Sequence, residues 1–400
     1  MTDFPLPFLP YGRQSITQED IKSVVDVLQS DLLTQGPCVP SFERALSNKC
    51  CAQYGVAVNS ATSALHIACL ALGLSSGDHL WTTPITFVAS ANCGRYCGAD
   101  VDFVDINPST GLISISALQE KLTVAKQNNK LPKILVPVHL AGSSCDMKSI
   151  ADLAEQYGFS VIEDASHAIG GQYNNQPVGS CEFSDICIFS FHPVKIITTG
   201  EGGLATTNNP DLAQHMTDLL SHGIVRERSR FERVSSGPWM YEQQKLGFNY
   251  RMTDIQAALG ISQLSRLDAI VFERNRQFAY YKKLLVGLPV ELLHIPHGVH
   301  SSLHLAVVRL QNFTVEQHRL IFEGLRALGI GVQLHYTPVH LQPYYRALGF
   351  TEGQYPEAEA YAKSAISLPL FPGLSVTDQD RVVSSLAALL HEYSSTDCSE

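Results

Sequence analysis

Between about residues 20 and 260 the apolar positions switch repeatedly between two periods. Short runs rich in β-branched and aromatic residues read as strands: "GVAVN" (55–59), "DHLWTT" (78–83), "VDFVDI" (101–106), "KILVPVHL" (133–140), "FSVIEDA" (159–165) and "DICIFSFH" (185–192). "DIKSVVDVLQS" precedes them with helical periodicity, and "SATSALHIACLALGL", "FVASANCGRYCG" and "DMKSIADLAEQYG" lie between them with the same period. Strands alternating with helices of about ten to fifteen residues predict crossover units and a mainly parallel sheet, buried on both faces. The pattern then changes. "LGFNYRMTDIQAALGISQLSRLDAIVFERNRQFAYYKKLL" predicts one long helical stretch with Arg and Lys on one side. Beyond it "HLAVVRL" and "GVQLHY" read as strands, and "TVEQHRLIFEGLRALGI" and "DQDRVVSSLAALLHEYS" as helices, which fits a smaller α+β unit. The expected architecture is α/β, with a large domain over residues 1–260 and a small C-terminal α+β domain over 261–400. The tail "SSTDCSE" is expected to fray.

Composition narrows the class. Apolar residues make up 45% of the 400 and charged residues 16%, so the chain can bury a large core. A formal net charge of −10 argues against coating nucleic acid or an anionic membrane. No window reaches the length of a membrane span. The apolar start "MTDFPLPFLPYGRQ" has no basic leader and is broken by prolines, so it does not read as a signal peptide. Ten cysteines without a CxxC pair, several inside predicted helices and strands, read as free thiols in a reducing cytoplasm. Their spacing gives no metal site.

Three segments carry candidate chemistry. In "NSATSALHIA" a strand gives way to hydroxylated residues and a helix start, so unpaired N–H groups with Ser60, Thr62 and Ser63 beside them suit a phosphate. A plain N-cap at Asn59 or Ser60 explains the same pattern. In "VIEDASHAIG", Glu163 and Asp164 end a strand and alternate between its faces, so one can face a ligand while the other pairs elsewhere. A carboxylate capping a turn is the alternative there. In "FSFHPVKIITTGEGG", Lys195 follows an apolar strand. Apolar walls lower the proton affinity of an amine and make it a nucleophile toward carbonyls, and "GEGG" lets the backbone pass close to a ligand. A solvated lysine is the bland reading of that segment alone. Together, a phosphate cradle, an acid and a lysine at strand ends of one sheet are the parts pyridoxal phosphate chemistry needs.

The lysine segment resembles the signature of the sugar aminotransferases of the DegT/DnrJ/EryC/StrS type, in the aspartate aminotransferase (fold type I) superfamily. "LTQGPCVPSFE", "NSATSALH", "TTPITFVASAN", "VIEDASHAIG", "SHG", "GFNYRMTDIQAALG" and "GVQLHYTPVH" extend the resemblance over nearly the whole chain. It implies an aspartate aminotransferase-like fold and pyridoxal 5'-phosphate as cofactor, with no metal. Lys195 would be the Schiff-base lysine and Asp164 the partner of the pyridine nitrogen. Phe87 would stack on the ring, which core packing explains equally. Ala61, Thr62 and Ser190 would hold the phosphate, and Asn249 would reach the phosphate of a neighbouring subunit in a homodimer with shared active sites. His167 stands where glutamine is common in the family, near the ring hydroxyl. The branch that serves pseudaminic acid biosynthesis also has histidine there. In that branch Tyr11, the segment Asp31, Leu32, Leu33, Thr34 and the segment Gln333, Leu334, His335, Tyr336 match positions that contact the nucleotide sugar. A packed strand end is the other reading of His335 and Tyr336. The resemblance implies a cytoplasmic transaminase that passes the amino group of L-glutamate to a UDP-linked 4-keto-6-deoxy-N-acetyl hexose. Its rivals are bacillosamine- or perosamine-type relatives, a 3-aminotransferase, a 3-dehydratase lacking the lysine, or a cofactor-binding regulator.

Overall fold

The computed structural model describes residues 7–394, so the first six residues of the apolar start and all but Ser394 of the tail expected to fray lie outside the described residues. Each of the six predicted strands is present: β1 (Tyr54–Val58), β2 (His79–Thr82), β3 (Asp100–Phe103), β4 (Ile134–Val136), β5 (Ser160–Asp164) and β6 (Ile186–Ser190). A seventh, β7 (Gly203–Thr207), completes a sheet of order β1-β7-β6-β5-β4-β2-β3. Strands β3, β2, β4, β5 and β6 run parallel, and β7 is antiparallel to both its neighbours. The sheet is therefore mainly parallel, as the alternating pattern predicts. Its central strands are apolar on both faces because helices cover both: Ile134, Leu135 and Val136 are fully buried.

The helices of this layer include α1 (Gln18–Leu28), α2 (Cys38–Cys50), α3 (Ala61–Ala71), α4 (Ala89–Tyr96), α5 (Ile115–Gln127), α6 (Met147–Tyr157) and α7 (Pro210–Leu220). A capping box between Thr17 and Asp20 starts α1. The buried Asp20 also accepts from Ser262 (2.6 Å), Gln263 (2.7 Å) and Arg266 (2.7 Å), which pins α1 to the chain at residues 262–266, some 240 positions away.

The predicted long helical stretch is three pieces. Residues 246–253 are irregular, because Phe248 and Tyr250 pack against the main core while Asn249 and Arg251 bridge to Ser221 and Val58. Helix α8 (Asp254–Leu264) begins at a second capping box, Thr253 with Gln256, and α9 (Leu267–Leu284) starts anew after Ser265 and Arg266. Leu267, Ile270 and Val271 join a cluster beneath the large sheet, whereas Tyr281 at the other end of α9 joins a second core. That core is built by β8 (Val290–Leu292), β9 (Ala306–Leu310), β10 (Ala365–Leu368), α10 (Val315–Ala327) and α11 (Val376–Ser394), with β9 central in an antiparallel sheet. Leu9 packs there too and bridges to Ile330, so the start of the described chain lies against the C-terminal layer. "GVQLHY" is not a strand. Only Gln333 pairs, with Ser367, after which the chain turns toward the main sheet.

Candidate active site

A cavity of about 930 Å³ opens at the carboxyl ends of the parallel strands, where ligands bind in open α/β sheets. Ala61, Thr62, Phe87, Asp164, His167, Ser190 and Lys195 line it from the large layer. Tyr11, Gln333, Leu334, His335 and Tyr336 line it from the opposite side. Residues spread over most of the chain thus meet in one place.

The floor is the N-terminus of α3. Ser60 caps the helix, and its hydroxyl accepts from Ser63 N at 3.1 Å. The N–H groups of Ala61 and Thr62, one position further out, have no helical acceptor and sit in the cavity wall. Strand β7 holds this turn from below. A Cβ on Gly203 would lie 2.5 Å from Ala61 N and 2.6 Å from the Ser60 carbonyl carbon, so only glycine lets the strand pass. The close passage expected for "GEGG" is therefore a passage against the cradle itself. Gly203 also pairs with Ser190 across β6 and β7, which sets the Ser190 hydroxyl in the same wall.

Strand β5 presents its two acids as the alternation requires. Glu163 points away and is satisfied by His139 Nε2 (2.7 Å) and Ser184 Oγ (2.5 Å); Cys145 N donates to His139 Nδ1 (3.2 Å). Asp164 faces the cavity. Ser90 Oγ donates to its Oδ2 at 2.5 Å, Ser166 N to its Oδ1 at 3.1 Å, and Thr86 Oγ1 lies 2.7 Å from Ser90 Oγ. Ser90 and Thr86 escape sequence reasoning, since the contact to Asp164 spans 74 positions and leaves no local pattern.

Lys195 hangs from the turn after β6, with its N–H bonded to His192 O at 2.8 Å. Burial pushes its amine down to about 8, and the Asp164 carboxylate pulls the other way. Around it stand three histidines whose proton affinity burial also lowers. His335 falls to about 3, through burial and then Lys195, and His167 and His304 fall well below the ordinary value. His167 Nε2 lies 3.1 Å from the Tyr336 hydroxyl, its ring is 4.4 Å from that of His304, and its Nδ1 is buried without a partner. His335 is fixed by Ser367 at 2.8 Å and lies 5.3 Å, ring to ring, from Tyr11. His304, Glu201 and Gln256 also line the cavity and are absent from the sequence-predicted set. Phe87 is 58% exposed, and the exposed ring stands in the cavity rather than in the core.

Two predicted groups lie outside this cavity. Asn249 is exposed, with its backbone beside Asn59 and Ser221. Asp31, Leu32, Leu33 and Thr34 form an exposed link between α1 and α2, anchored where Asp254 N donates to Leu33 O.

The residues present suit pyridoxal phosphate: free N–H groups at a helix start, a buried carboxylate, an exposed aromatic face and a desolvated amine share one cavity. The family model of the DegT/DnrJ/EryC1/StrS aminotransferases matches residues 14–387. The chain belongs to that family. It is a pyridoxal-phosphate-dependent sugar aminotransferase of the fold type I class. Among its relatives, the UDP-4-amino-4,6-dideoxy-N-acetyl-beta-L-altrosamine transaminase of Campylobacter jejuni is 36% identical over 391 residues, 98% of this chain and 100% of the relative. The spore coat polysaccharide biosynthesis protein SpsC of Bacillus subtilis is 36% identical over 385 residues, 95% of this chain and 96% of the relative. Helicobacter pylori PseC, an aminotransferase of pseudaminic acid biosynthesis, superposes with a TM-score of 0.88 at 31% identity, covering 96% of this chain and 100% of that one. The putative sugar aminotransferase Spr1654 of Streptococcus pneumoniae, solved in its pyridoxamine phosphate form, gives 0.88 at 30% identity with the same coverage. Among the described residues no group of side chains is set to hold a metal ion, and no helix is long and apolar enough to cross a membrane.

Proposed function

We propose that this aminotransferase moves the amino group of L-glutamate to the C4 ketone of UDP-4-keto-6-deoxy-N-acetyl-L-altrosamine, as a cytoplasmic homodimer in pseudaminic acid biosynthesis. The observation that carries the reading is the meeting of Lys195, Asp164 and the open α3 N-terminus in one cavity. The choice of sugar is supported by His167 and by the Campylobacter and Helicobacter relatives.

Pyridoxal phosphate, when bound, supplies an electron sink for the carbanion left when a substrate Cα proton is removed. The Ala61 and Thr62 N–H groups and the Ser190 hydroxyl hold a phosphate, favoured by the positive end of α3. Asp164 would hold a proton on the pyridine nitrogen of the cofactor, and Ser90 fixes the carboxylate in its place facing the cavity. Phe87 offers a flat face for stacking. Lys195 Nζ would be the amine that holds the cofactor, and it is placed to take up the substrate proton, a task suited to an amine near 8 because a working fraction is neutral at pH 7. Burial keeps His167, His304 and His335 neutral, so among the described residues Lys195 is the one lysine or arginine in the wall. A nucleotide diphosphate must therefore be met partly by groups outside this cavity. The Asp31–Thr34 segment and Asn249, exposed on the same chain, fit a partner's site in a dimer.

The test is turnover of a panel of UDP-linked keto sugars by purified enzyme with L-glutamate. Amination of the altrose-configured 4-ketone above all others supports the proposal, and no turnover of it overturns the substrate. A second reading is another nucleotide-linked keto sugar, of the bacillosamine or perosamine type; the equal identity to a protein of spore coat polysaccharide biosynthesis leaves room for a sugar other than the altrose-configured one.

A further inference from the structure

Helix α4 carries Ser90, whose hydroxyl grips Asp164, yet little in α4 itself fixes its place. It is eight residues long, and Val88 at its N-cap offers no side-chain hydrogen bond. A helix that short is marginal alone, so its neighbours must hold it. Its position matters because Ser90 Oγ has two acceptors. One is Asp164 Oδ2 at 2.5 Å, and the other, in its own turn, is Phe87 O at 3.3 Å. A small retreat of α4 from the sheet hands the hydroxyl from the acid to the backbone. The grip on the other side of α4 comes from the C-terminal part of the chain. Asn92 follows Ser90 by two positions, which is about 200° round the helix. Its Oδ1 accepts from the Tyr345 hydroxyl at 2.8 Å. Tyr345 is 1% exposed and sits on a short helix, Pro343–Arg346. Its ring packs edge-on to Phe103 at 5.6 Å and lies 6.3 Å from Phe350, inside the core of the large sheet. The segment that brings it there leaves the cavity wall at Tyr336, and Val339 N donates to Pro84 O at 2.9 Å on the way. Helix α4 is thus held between Asp164 on one side and Tyr345 on the other.

We propose that Tyr345 is a positioning residue for the transamination: through Asn92 and α4, its hydroxyl keeps Ser90 on the Asp164 carboxylate. Tyr345 itself lies outside the cavity wall. The inference rests on the reading of Asp164 as the acid of the cofactor site. Its mechanics are those of a brace. Removing the Tyr345 hydroxyl leaves Asn92 Oδ1 without its donor and frees that side of α4. The helix then settles where Asn92 finds another partner, and Ser90 turns toward Phe87 O. Asp164 keeps the bond from Ser166 N at 3.1 Å but loses the shorter one from Ser90, so the carboxylate is less well aimed. Thr86 does not stand in for Ser90, because its Oγ1 is itself bonded to Ser90 Oγ at 2.7 Å. The loss is one of alignment, which falls on the reacting state more than on the binding of substrate.

Double-mutant cycles on the cofactor-loaded enzyme test this. Tyr345→Phe keeps the ring in its packing and removes only the hydroxyl. It should lower kcat about three- to fivefold, the scale of one hydrogen bond, with KM within about twofold of wild type. Asn92→Ala should do the same. Added to Ser90→Ala, Tyr345→Phe should bring no further loss, because the group it acts through is gone. Should Tyr345→Phe fail to fold, Asn92→Ala with Ser90→Ala runs the same cycle. The apoenzymes give a second readout. Fluorescence titration with pyridoxal phosphate should show weaker binding in each single variant and no added loss in the double one. A tyrosine that only supports the core would instead lower Tm and give losses that multiply. Multiplying losses, or wild-type kcat in both Tyr345→Phe and Asn92→Ala, overturn the proposal. Asp164→Asn in the same assays keeps the two readings apart. Near-wild-type kcat there would sink the reading of Asp164, whereas an inactive Asp164→Asn beside multiplying losses sinks the brace alone.

Discussion

Lys195 is held where an amine is least comfortable as a cation. Its proton affinity falls from the ordinary lysine range to about 8 in the fold, so between about pH 8 and 10.5 the unfolded chain binds a proton there that the folded chain does not. Stability from this group therefore rises with pH across that window, and below pH 8 the full penalty is present. Without cofactor, Lys195→Met should raise stability at pH 7 by about 2 to 3 kcal/mol, read as a higher Tm, and the gain should vanish above about pH 10. Asp164 gives the complementary test. Asp164→Asn should cut kcat by about a hundredfold or more, while Ser90→Ala, which removes only a hydrogen bond to that carboxylate, should cost about tenfold with little change in KM. Steady-state kinetics on folded variants separates the two. At this scale the sequence was informative for the placement of Lys195, Asp164 and Ala61–Thr62 in one cavity, because each follows or ends a strand of the large sheet and carries a local pattern. Ser90, Thr86 and His304 carry no such pattern; only the packing of distant segments brings them to the site.

Elements were legible where burial on both faces forces apolar runs. Six strands of the large sheet read directly, and β7 did not. Its sequence "GLATT" is short and begins with glycine, and its place between β1 and β6 is set by pairing rather than by composition. Yet β7 makes the phosphate cradle possible. Gly203→Ala places a methyl 2.5 Å from Ala61 N, where backbone cannot yield, so α3 must shift. We expect a loss of about 1 to 3 kcal/mol of stability and at least tenfold weaker retention of the cofactor, measured by thermal unfolding and by fluorescence titration. The stretch read as one helix from 246 to 285 contains an irregular piece and a break, because capping at Thr253 and bridges from Asn249 and Arg251 outweigh its helical period. "GVQLHY" failed as a strand for a related reason: His335 and Tyr336 are spent on the cavity rather than on a ladder.

Across the whole molecule, the cavity closes only because the C-terminal layer lowers Tyr11, His304 and residues 333–336 onto the large sheet. A division of the chain near residue 260 remains our reading of the sequence pattern, with α9 spanning two cores. The proposed dimer makes a quantitative prediction. Lys195→Ala and Asn249→Ala should each be nearly inactive alone. Unfolded together, mixed in equal amounts and refolded, they should recover about a quarter of wild-type activity, since half the dimers are mixed and each mixed dimer has one intact site. No recovery would place Asn249 in its own chain's site, and an Asn249→Ala variant active on its own would place it outside any. The most direct test of the central claim is borohydride reduction of the native enzyme, which fixes the cofactor to the amine that holds it, followed by peptide mass mapping. The account predicts the phosphopyridoxyl mass on the peptide carrying Lys195 and nowhere else. The same mass on another lysine, or on none, would contradict it.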